Sequence, residues 1–347
     1  MASHTNCALT LDESPSHTSA ASPTTPQQDA TASTVNVQIA RDRWGRDIEF
    51  LFSCIALSVG LGNVWRFPVI ALENGGGAFV IPYLVVLICV GRPVYYLEML
   101  VGQFSSRGAI RVFDFSPLFR GIGYGQVLAT GFVTTYYASI MGITLRYFFA
   151  SLTTDELPWN KCKPSWNDSQ GGQYILNLVD FFGASFIALV LAILELVSIA
   201  WVYGVKRLCK DVEFMLHIRI GWYWRLCWGF ITPIMMACIL IYTIVKLEPL
   251  TYRDQTYPTA AYAAGWILST LGLMQFPLWA LYAIKRQKVQ GVWNKLHSAL
   301  QPKANWGPLD ENLLREYQSY TTKHMRESEP HWRQMNFFEK IRDRIFN

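Results

Sequence analysis

The sequence predicts an all-α polytopic membrane protein with six transmembrane helices, the first of them broken. Of its 347 residues, 51% are hydrophobic, only 16% are charged and 13 are tryptophans, a composition too apolar for a typical soluble protein. A hydrocarbon layer ~30 Å thick is crossed by ~20 apolar residues of helix. Six stretches reach that length: residues 48–72, 78–103, 122–150, 174–204, 222–247 and 259–285.

These stretches divide the chain into five segments. Residues 1–38 form an N-terminal tail, 39–152 hold the first three helices, 153–173 form an extracellular loop, 174–286 hold the last three helices, and 287–347 form a C-terminal tail. The N-terminal tail is rich in Ser, Thr, Ala and Pro, which predicts disorder rather than a signal peptide. The C-terminal tail mixes charges with tryptophans, which fits short amphipathic helices at a membrane surface or, as the plainer interpretation, a solvated tail.

Lys and Arg residues beside the six stretches set the predicted orientation. Fourteen lie on one side of the membrane and five on the other, so both termini are predicted to be cytosolic. This bias and the tail account for most of the net charge of +5, and no basic surface interleaved with aromatic residues indicates nucleic-acid binding. The sequon at Asn167 falls in the extracellular loop and predicts N-glycosylation there.

The first stretch contains its own interruption, SVGLGNVWRFP at residues 58–68. Gly60 and Gly62 free the backbone, and Pro68 removes a hydrogen-bond donor. In hydrocarbon, non-helical backbone persists only inside protein or beside a polar cavity. The alternative is that Ala56 and Gly60, four residues apart, merely let a neighbouring helix approach closely.

Two polar side chains favour a functional break over a packing face. Asn63 and Arg66 lie within one turn of the glycines, and groups of this kind at membrane depth are usually functional. Carbonyls near Ala56, Ser58 and Val59, with the amide oxygen of the asparagine, would form a cage of hard oxygens for Na⁺. The helix that restarts beyond the second glycine would point its positive N-terminal end at an anion.

The interrupted stretch resembles the neurotransmitter:sodium symporter family. The resemblance continues through ENGGGAFVIPY at residues 73–83, YLEM at 96–99 and GQF at 102–104, covers residues 41–147 and resumes over 171–282. It implies a partial leucine-transporter-like fold, since that family has discontinuous helices around sites at the bilayer midplane.

The resemblance also implies residue roles. One sodium ion would be bound through Ala56 and Val59, and a second through Ser58 and Asn63. Substrate would contact Ser58, Gly60, Leu61, Gly62, Val133 and Tyr137. Read without the resemblance, Tyr137 is an ordinary packed aromatic.

Charged residues outside this site are assigned in the same way. Arg66 and Asp180 match the extracellular gate, and Arg41 matches the arginine of the cytoplasmic gate. Glu98 and Glu195 match acids that brace the helices. Arg92 has no evident partner in the sequence.

The resemblance makes Gly60 informative about the substrate. Relatives that carry monoamines have an aspartate there, so a glycine implies a substrate with its own anion, such as a neutral amino acid, and favours the nutrient amino-acid branch. Members of the GABA type also carry glycine, and chloride participation stays open. No catalytic triad, metal-ligand spacing or phosphate loop is present, so we predict a non-enzyme.

Against the family pattern, the fourth to ninth helices are missing, and the cut falls near residues 167–170. Because six is an even number, the topology is preserved. The sixth helix would complete the substrate site, and the seventh and eighth would complete the sodium shells, so about half of the ~6 oxygen ligands that a hard cation takes would remain. The lineage predicts sodium-coupled symport of neutral amino acids across the plasma membrane, impaired in this chain. The alternative is a non-transporting truncated isoform that binds and modulates full-length transporters.

Overall fold

A computed structural model of the chain describes residues 45–60, 62–152, 171–246, 251–252 and 255–334. Three sites predicted from the sequence therefore lie outside the described residues: Leu61 in the substrate site, Arg41 of the cytoplasmic gate and the sequon at Asn167. Within the described residues the only strands are β1 (Thr251–Tyr252) and β2 (Gln255–Thr256), which pair antiparallel. The remaining regular structure is helical, which confirms the predicted all-α class.

Thirteen α-helices follow one another in the described part of the chain. They are α1 (Asp47–Ser58), α2 (Phe67–Glu73), α3 (Val80–Val86), α4 (Arg92–Ser105), α5 (Arg120–Ser151), α6 (Gly171–Leu178), α7 (Phe186–Val197), α8 (Val205–Leu216), α9 (Trp222–Leu226), α10 (Thr232–Val245), α11 (Thr259–Lys285), α12 (Val292–Leu300) and α13 (Glu311–Gln334). Short 3₁₀ and π-helical turns join several of them into longer rods.

Five of these rods are long and apolar enough to cross a membrane: Gly76–Ser105, Pro117–Ser151, Ile175–Leu216, Trp222–Val245 and Thr259–Lys285. They correspond to the second to sixth predicted stretches. The fourth runs to Leu216, but at Gly204 its backbone leaves helical geometry, with φ +98° and ψ 129°, and α8 begins at the next residue. The predicted end of this stretch at residue 204 therefore coincides with a break in the rod.

The first predicted stretch, 48–72, is not one rod. It contains α1, of 12 residues, and α2, of 7 residues, each too short to cross a membrane alone. Among the described residues, those up to Val80 belong to one compact unit, which contains both helices, and those from Ile81 onward belong to a second compact unit.

Three prolines each follow a π-helical turn of five residues. Pro68, Pro93 and Pro233 are the second residues of α2, α4 and α10. The π-helical turns before them are Gly62–Arg66, Leu87–Gly91 and Cys227–Ile231. Because proline has no N–H, it leaves the carbonyl four residues earlier without its α-helical donor.

Side chains of neighbouring helices satisfy two of the carbonyls that these prolines release. Thr232 Oγ1 donates to Cys89 O at 2.7 Å, and Trp201 Nε1 donates to Gly229 O at 2.9 Å. Each acceptor lies four residues before a proline. Hydrocarbon offers no water that could replace these donors. Because each donor comes from a different rod than its acceptor, the two hydrogen bonds also join neighbouring helices.

Glycines allow α11 to pack closely against its neighbours. A Cβ added at Gly121 in α5 would lie 2.5 Å from Gln275 O and 2.6 Å from Phe276 Cα. At Gly265 an added Cβ would overlap the ring of Phe182. Small residues at such contacts let helix backbones approach in a membrane, where van der Waals packing drives association.

Part of the C-terminal tail is packed rather than solvated. Its Trp306 and Tyr317 are buried, and their rings lie 5.9 and 5.2 Å from the ring of Phe104 at the end of α4. The Tyr317 hydroxyl donates to the buried Asp211 carboxylate at 2.7 Å, and the Tyr203 hydroxyl donates to the same carboxylate. The predicted short helices are present as α12 and α13, but the expectation of a solvated tail does not hold for the segment that contains these two aromatic residues.

A buried aspartate in the loop between α4 and α5 also contacts the tail. The Asp114 side chain is 4% exposed, and its carboxylate accepts from Arg107 at 2.6 Å and from Arg120 Nε at 2.6 Å. Lys303 Nζ lies 3.4 Å from the same carboxylate, and the Lys303 N–H donates to the Asp114 carbonyl at 3.0 Å. The loop and the tail therefore share one ionic cluster.

Candidate functional site

The first helix unwinds at the residues where the sequence predicts it. α1 ends at Ser58, and Val59 has extended backbone dihedrals, φ −95° and ψ 117°. The Val59 N–H still donates to Ile55 O at 2.9 Å, and helical structure resumes at Gly62. A helix that ends in this way offers its last carbonyls no amide one turn further on. Oxygen atoms with free lone pairs are therefore concentrated at the break.

Asn63 connects the two sides of the break. Its Nδ2 donates to Ser58 O at 3.1 Å, and its backbone N–H donates to Gly60 O at 3.1 Å. Ser58 Oγ donates to Cys54 O at 2.8 Å, which leaves the lone pairs of that hydroxyl free to accept. The Asn63 side-chain amide is thus held against the main-chain carbonyl of Ser58 across the interruption.

The oxygen atoms at the break are of the kind that a hard monovalent cation prefers. The Ala56 and Val59 carbonyls, the Ser58 hydroxyl and the Asn63 amide are all neutral oxygen ligands, the type that hard cations prefer. Within residues 45–334, apart from the gaps noted above, no group of three or more His, Cys, Asp or Glu side chains could hold a metal ion.

The second glycine and the two polar residues of the break are exposed. A Cβ added at Gly62 would meet no atom within 4 Å, while Gly60 is half-buried. In this chain Ser58 and Asn63 are exposed. The polar atoms of the break are therefore accessible.

The other predicted substrate residues lie on α5, in the second compact unit. Val133 and Tyr137 are one turn apart, and both are half-buried. Their spacing of four residues places them on one face of the helix. Because the break lies in the first compact unit, the approach of Tyr137 to the break stays a prediction.

The two residues of the predicted extracellular gate also belong to different compact units. Arg66 ends the π-helical turn of the first unit, and Asp180 lies in the π-helical segment Val179–Ser185 of the second. Asp180 accepts a hydrogen bond from the Tyr136 hydroxyl at 2.8 Å. This contact was not predicted from the sequence, where nothing distinguishes Tyr136 from the adjacent Tyr137 as the donor.

One of the acids predicted to brace the helices has a polar partner. Gln126 Nε2 on α5 donates to Glu195 Oε2 on α7 at 2.6 Å. Glu98 is half-buried on α4. The hydrogen bond between α5 and α7 favours a structural role for Glu195, although no sequence pattern singles out Gln126 as its donor.

The chain matches one family over most of its length. The sequence model of the Sodium:neurotransmitter symporter family matches residues 41–171 and 168–287, together more than two thirds of the chain. The two matched segments meet at residues 168–171. This is where the sequence analysis places the missing helices.

Individual proteins with related names also match most of the chain. The chain is 24% identical to proteins named Sodium-dependent nutrient amino acid transporter 1 from Drosophila melanogaster and Drosophila willistoni, over 80% and 77% of its own length and 89% and 88% of theirs. The alignment with the Drosophila melanogaster protein has 570 positions but takes in only 80% of 347 residues. About half of the aligned positions therefore face a gap in this chain.

Proposed function

The chain belongs to the sodium:neurotransmitter symporter family, and on that premise we propose sodium-coupled symport of neutral amino acids as its function by lineage, weakened by the missing helices. The observation that carries this proposal is the unwound backbone between Ser58 and Gly62, bridged by Asn63. Relatives named as sodium-dependent nutrient amino acid transporters favour an amino acid as the substrate.

The binding roles follow the oxygen atoms at the break. Ala56 and Val59 would bind one sodium ion through their carbonyls. Ser58 and Asn63 would bind the other, and their proximity across the break supports that pairing. Each shell would remain incomplete, because about half of the ~6 ligands of a hard cation would have come from the missing helices.

The substrate would lie beside the sodium ions. Gly60, Leu61 and Gly62 would surround its backbone groups, and the positive N-terminal end of the restarted helix would face its carboxylate. Val133 and Tyr137 would contact it from α5.

The gates and the membrane setting complete the proposal. Arg66 and Asp180 would close the extracellular side, and Arg41 would belong to the cytoplasmic gate. The Lys and Arg bias supports cytosolic termini in the plasma membrane, with Asn167 glycosylated on the outside.

Uptake of radiolabelled neutral amino acids by cells that express only this chain tests the proposal. We expect uptake that is low, above that of cells with empty vector, and dependent on Na⁺ when choline replaces it. Asn63→Leu should reduce uptake to the vector level, because it removes both the bridge to Ser58 and an oxygen ligand. Ser53→Ala, upstream of the break in α1, is the matched control and should retain uptake.

The gap in the alignments favours a second candidate function. Since about half of the aligned positions have no counterpart in this chain, the chain could instead bind a full-length transporter through its helices and modulate it. Uptake at the vector level by the chain alone, with suppressed uptake by a co-expressed full-length relative, would overturn transport and favour this function. Uptake by the relative that stays unchanged would contradict modulation.

A further inference from the structure

An arginine for which the sequence offers no partner lies over a tryptophan ring. Arg92 is the first residue of α4, within the apolar rod Gly76–Ser105, and its side chain is exposed. Its guanidinium carbon lies 5.4 Å from the centroid of the Trp224 ring, which is a cation–π contact. Among the ion pairs of the described residues, none involves Arg92. Its charge is therefore not neutralised by a carboxylate in the part of the chain that the structure describes.

Hydrogen bonds between the two rods fix the position of this arginine. Pro93 follows Arg92 directly, and its carbonyl accepts from Trp228 Nε1 at 2.8 Å. On the other side of Arg92, Ile88 O accepts from the Tyr223 hydroxyl at 2.6 Å. Both donors flank Trp224 on the facing rod, so the backbone on either side of Arg92 is held against the turn that carries this ring.

Aromatic rings surround the same position. Tyr96, one turn after Arg92, has its ring centroid 4.4 Å from that of Trp224, and Trp228 lies 6.0 Å from Trp224. Trp222 begins the facing rod and is 76% exposed. An exposed cation thus lies beside a cluster of large aromatic side chains in which Trp228 is buried, Tyr96 and Trp224 are half-buried and Trp222 is exposed.

The depth of this cluster follows from the length of the facing rod. Trp222–Val245 has 24 residues, or ~36 Å of helix, only slightly more than the ~30 Å of hydrocarbon. Its first turn therefore lies at one membrane interface, where tryptophan and tyrosine are enriched. Because Arg92 is stacked on Trp224, it lies at the same level.

We propose that Arg92 binds the anionic headgroup of a phospholipid in the cytosolic leaflet. Trp224 covers one face of the guanidinium, whereas its planar N–H donors can reach phosphate or carboxylate oxygens in bidentate fashion. The exposed side chains of Leu87, Ile88 and Trp222 would contact the acyl chains. The cytosolic leaflet carries the anionic lipids, and this assignment rests on the orientation proposed above.

Lipid binding to the purified full chain tests this site independently of transport. In detergent, native mass spectrometry with added phosphatidylserine or phosphatidylcholine should give preferential binding of phosphatidylserine. Arg92→Gln should weaken phosphatidylserine binding about fivefold, the loss of one cationic contact near a membrane surface. Arg219→Gln is the matched control, since Arg219 is an exposed arginine paired with Glu213 outside the aromatic cluster, and should leave binding unchanged.

A second measurement does not depend on a variant that folds. Photoreactive phosphatidylserine should label the wild-type chain within residues 87–96 or 222–228, and phosphatidylserine should compete with the label while phosphatidylcholine should not. Equal binding of the two lipids, labelling elsewhere, or an Arg92→Gln variant that binds like wild type would overturn the proposal. Competition by soluble glycerophosphoserine as strong as that by the lipid would also overturn it, since the site would then bind a free anion.

Discussion

The hydroxyl of Tyr317 provides a direct test of how the C-terminal tail is held. Tyr317→Phe removes only the hydrogen bond to Asp211, 2.7 Å long, and retains the ring that packs 5.2 Å from Phe104. Asp211 keeps its second donor, Tyr203, so no buried carboxylate is left alone. The change therefore isolates one tyrosine–carboxylate bond.

The expected magnitude follows from the charge and burial of that bond. A hydrogen bond to a charged group contributes about 1.5–3 kcal/mol, and every ~1.4 kcal/mol is a factor of ten. The tail should therefore open about 10-fold to 150-fold more often. Burial beside Asp211 raises the pKa of Tyr317 above its ordinary value, so the hydroxyl stays protonated and bonded throughout the physiological pH range.

Trypsin cleavage at the exposed Arg315 measures the opening, because cleavage follows the population of the open form when the tail closes faster than it is cut. Ser319→Ala is the matched control, since the Ser319 hydroxyl is exposed and donates within α13 to Glu316 O. We expect rapid cleavage of Tyr317→Phe and a wild-type rate for the control. A Tyr317→Phe rate equal to that of wild type would refute the inference that this bond holds the tail.

Three further predictions concern packing and polar contacts. Gly121→Ala should destabilise the chain by about 1–3 kcal/mol, because the added Cβ would overlap the backbone of α11. Gly131→Ala should not destabilise it, since a Cβ there meets no atom within 4 Å. Thermal unfolding followed by gel filtration distinguishes the two variants. Asp114→Asn should destabilise the chain by about 3–5 kcal/mol in the same assay, because the guanidinium of Arg107, whose side chain is 9% exposed, loses its negatively charged partner. A wild-type melting temperature would contradict this. Thr232→Val should lower the free energy of unfolding by about 0.6 kcal/mol or more, because it removes the donor to Cys89 O on another rod. Thr243→Val should lower it less, since the Thr243 hydroxyl donates within its own helix. Equal losses would mean that the contact between helices adds no stability.

Most of the fold could be predicted from local chemistry. The long rods follow from hydropathy and length, since a membrane permits few alternatives to a helix once a stretch is apolar. The break near Gly60 could be located because glycine and proline act on the backbone where they stand. For the same reason, Asn63 could be assigned to the break without knowledge of distant residues.

The contacts of the polar side chains could not be predicted in this way. The partner of Arg92 lies on a different rod, and the donor to Asp180 is one of two adjacent tyrosines. Which residue approaches depends on how helices that are distant in sequence are rotated against one another. Periodicity within one helix gives no information on that rotation.

The sequence by itself determined that this chain crosses the membrane several times, where its second to sixth apolar stretches lie and where its first helix unwinds, because each depends on residue type over a short window. Only the tertiary structure decided that Trp306 and Tyr317 are buried against Phe104 at the end of α4, that Asp114 joins the loop to the tail and that Arg92 lies over Trp224. The physical reason is that the donors and acceptors of these contacts are brought together by helix packing, and the free energy of each contact depends on that approach.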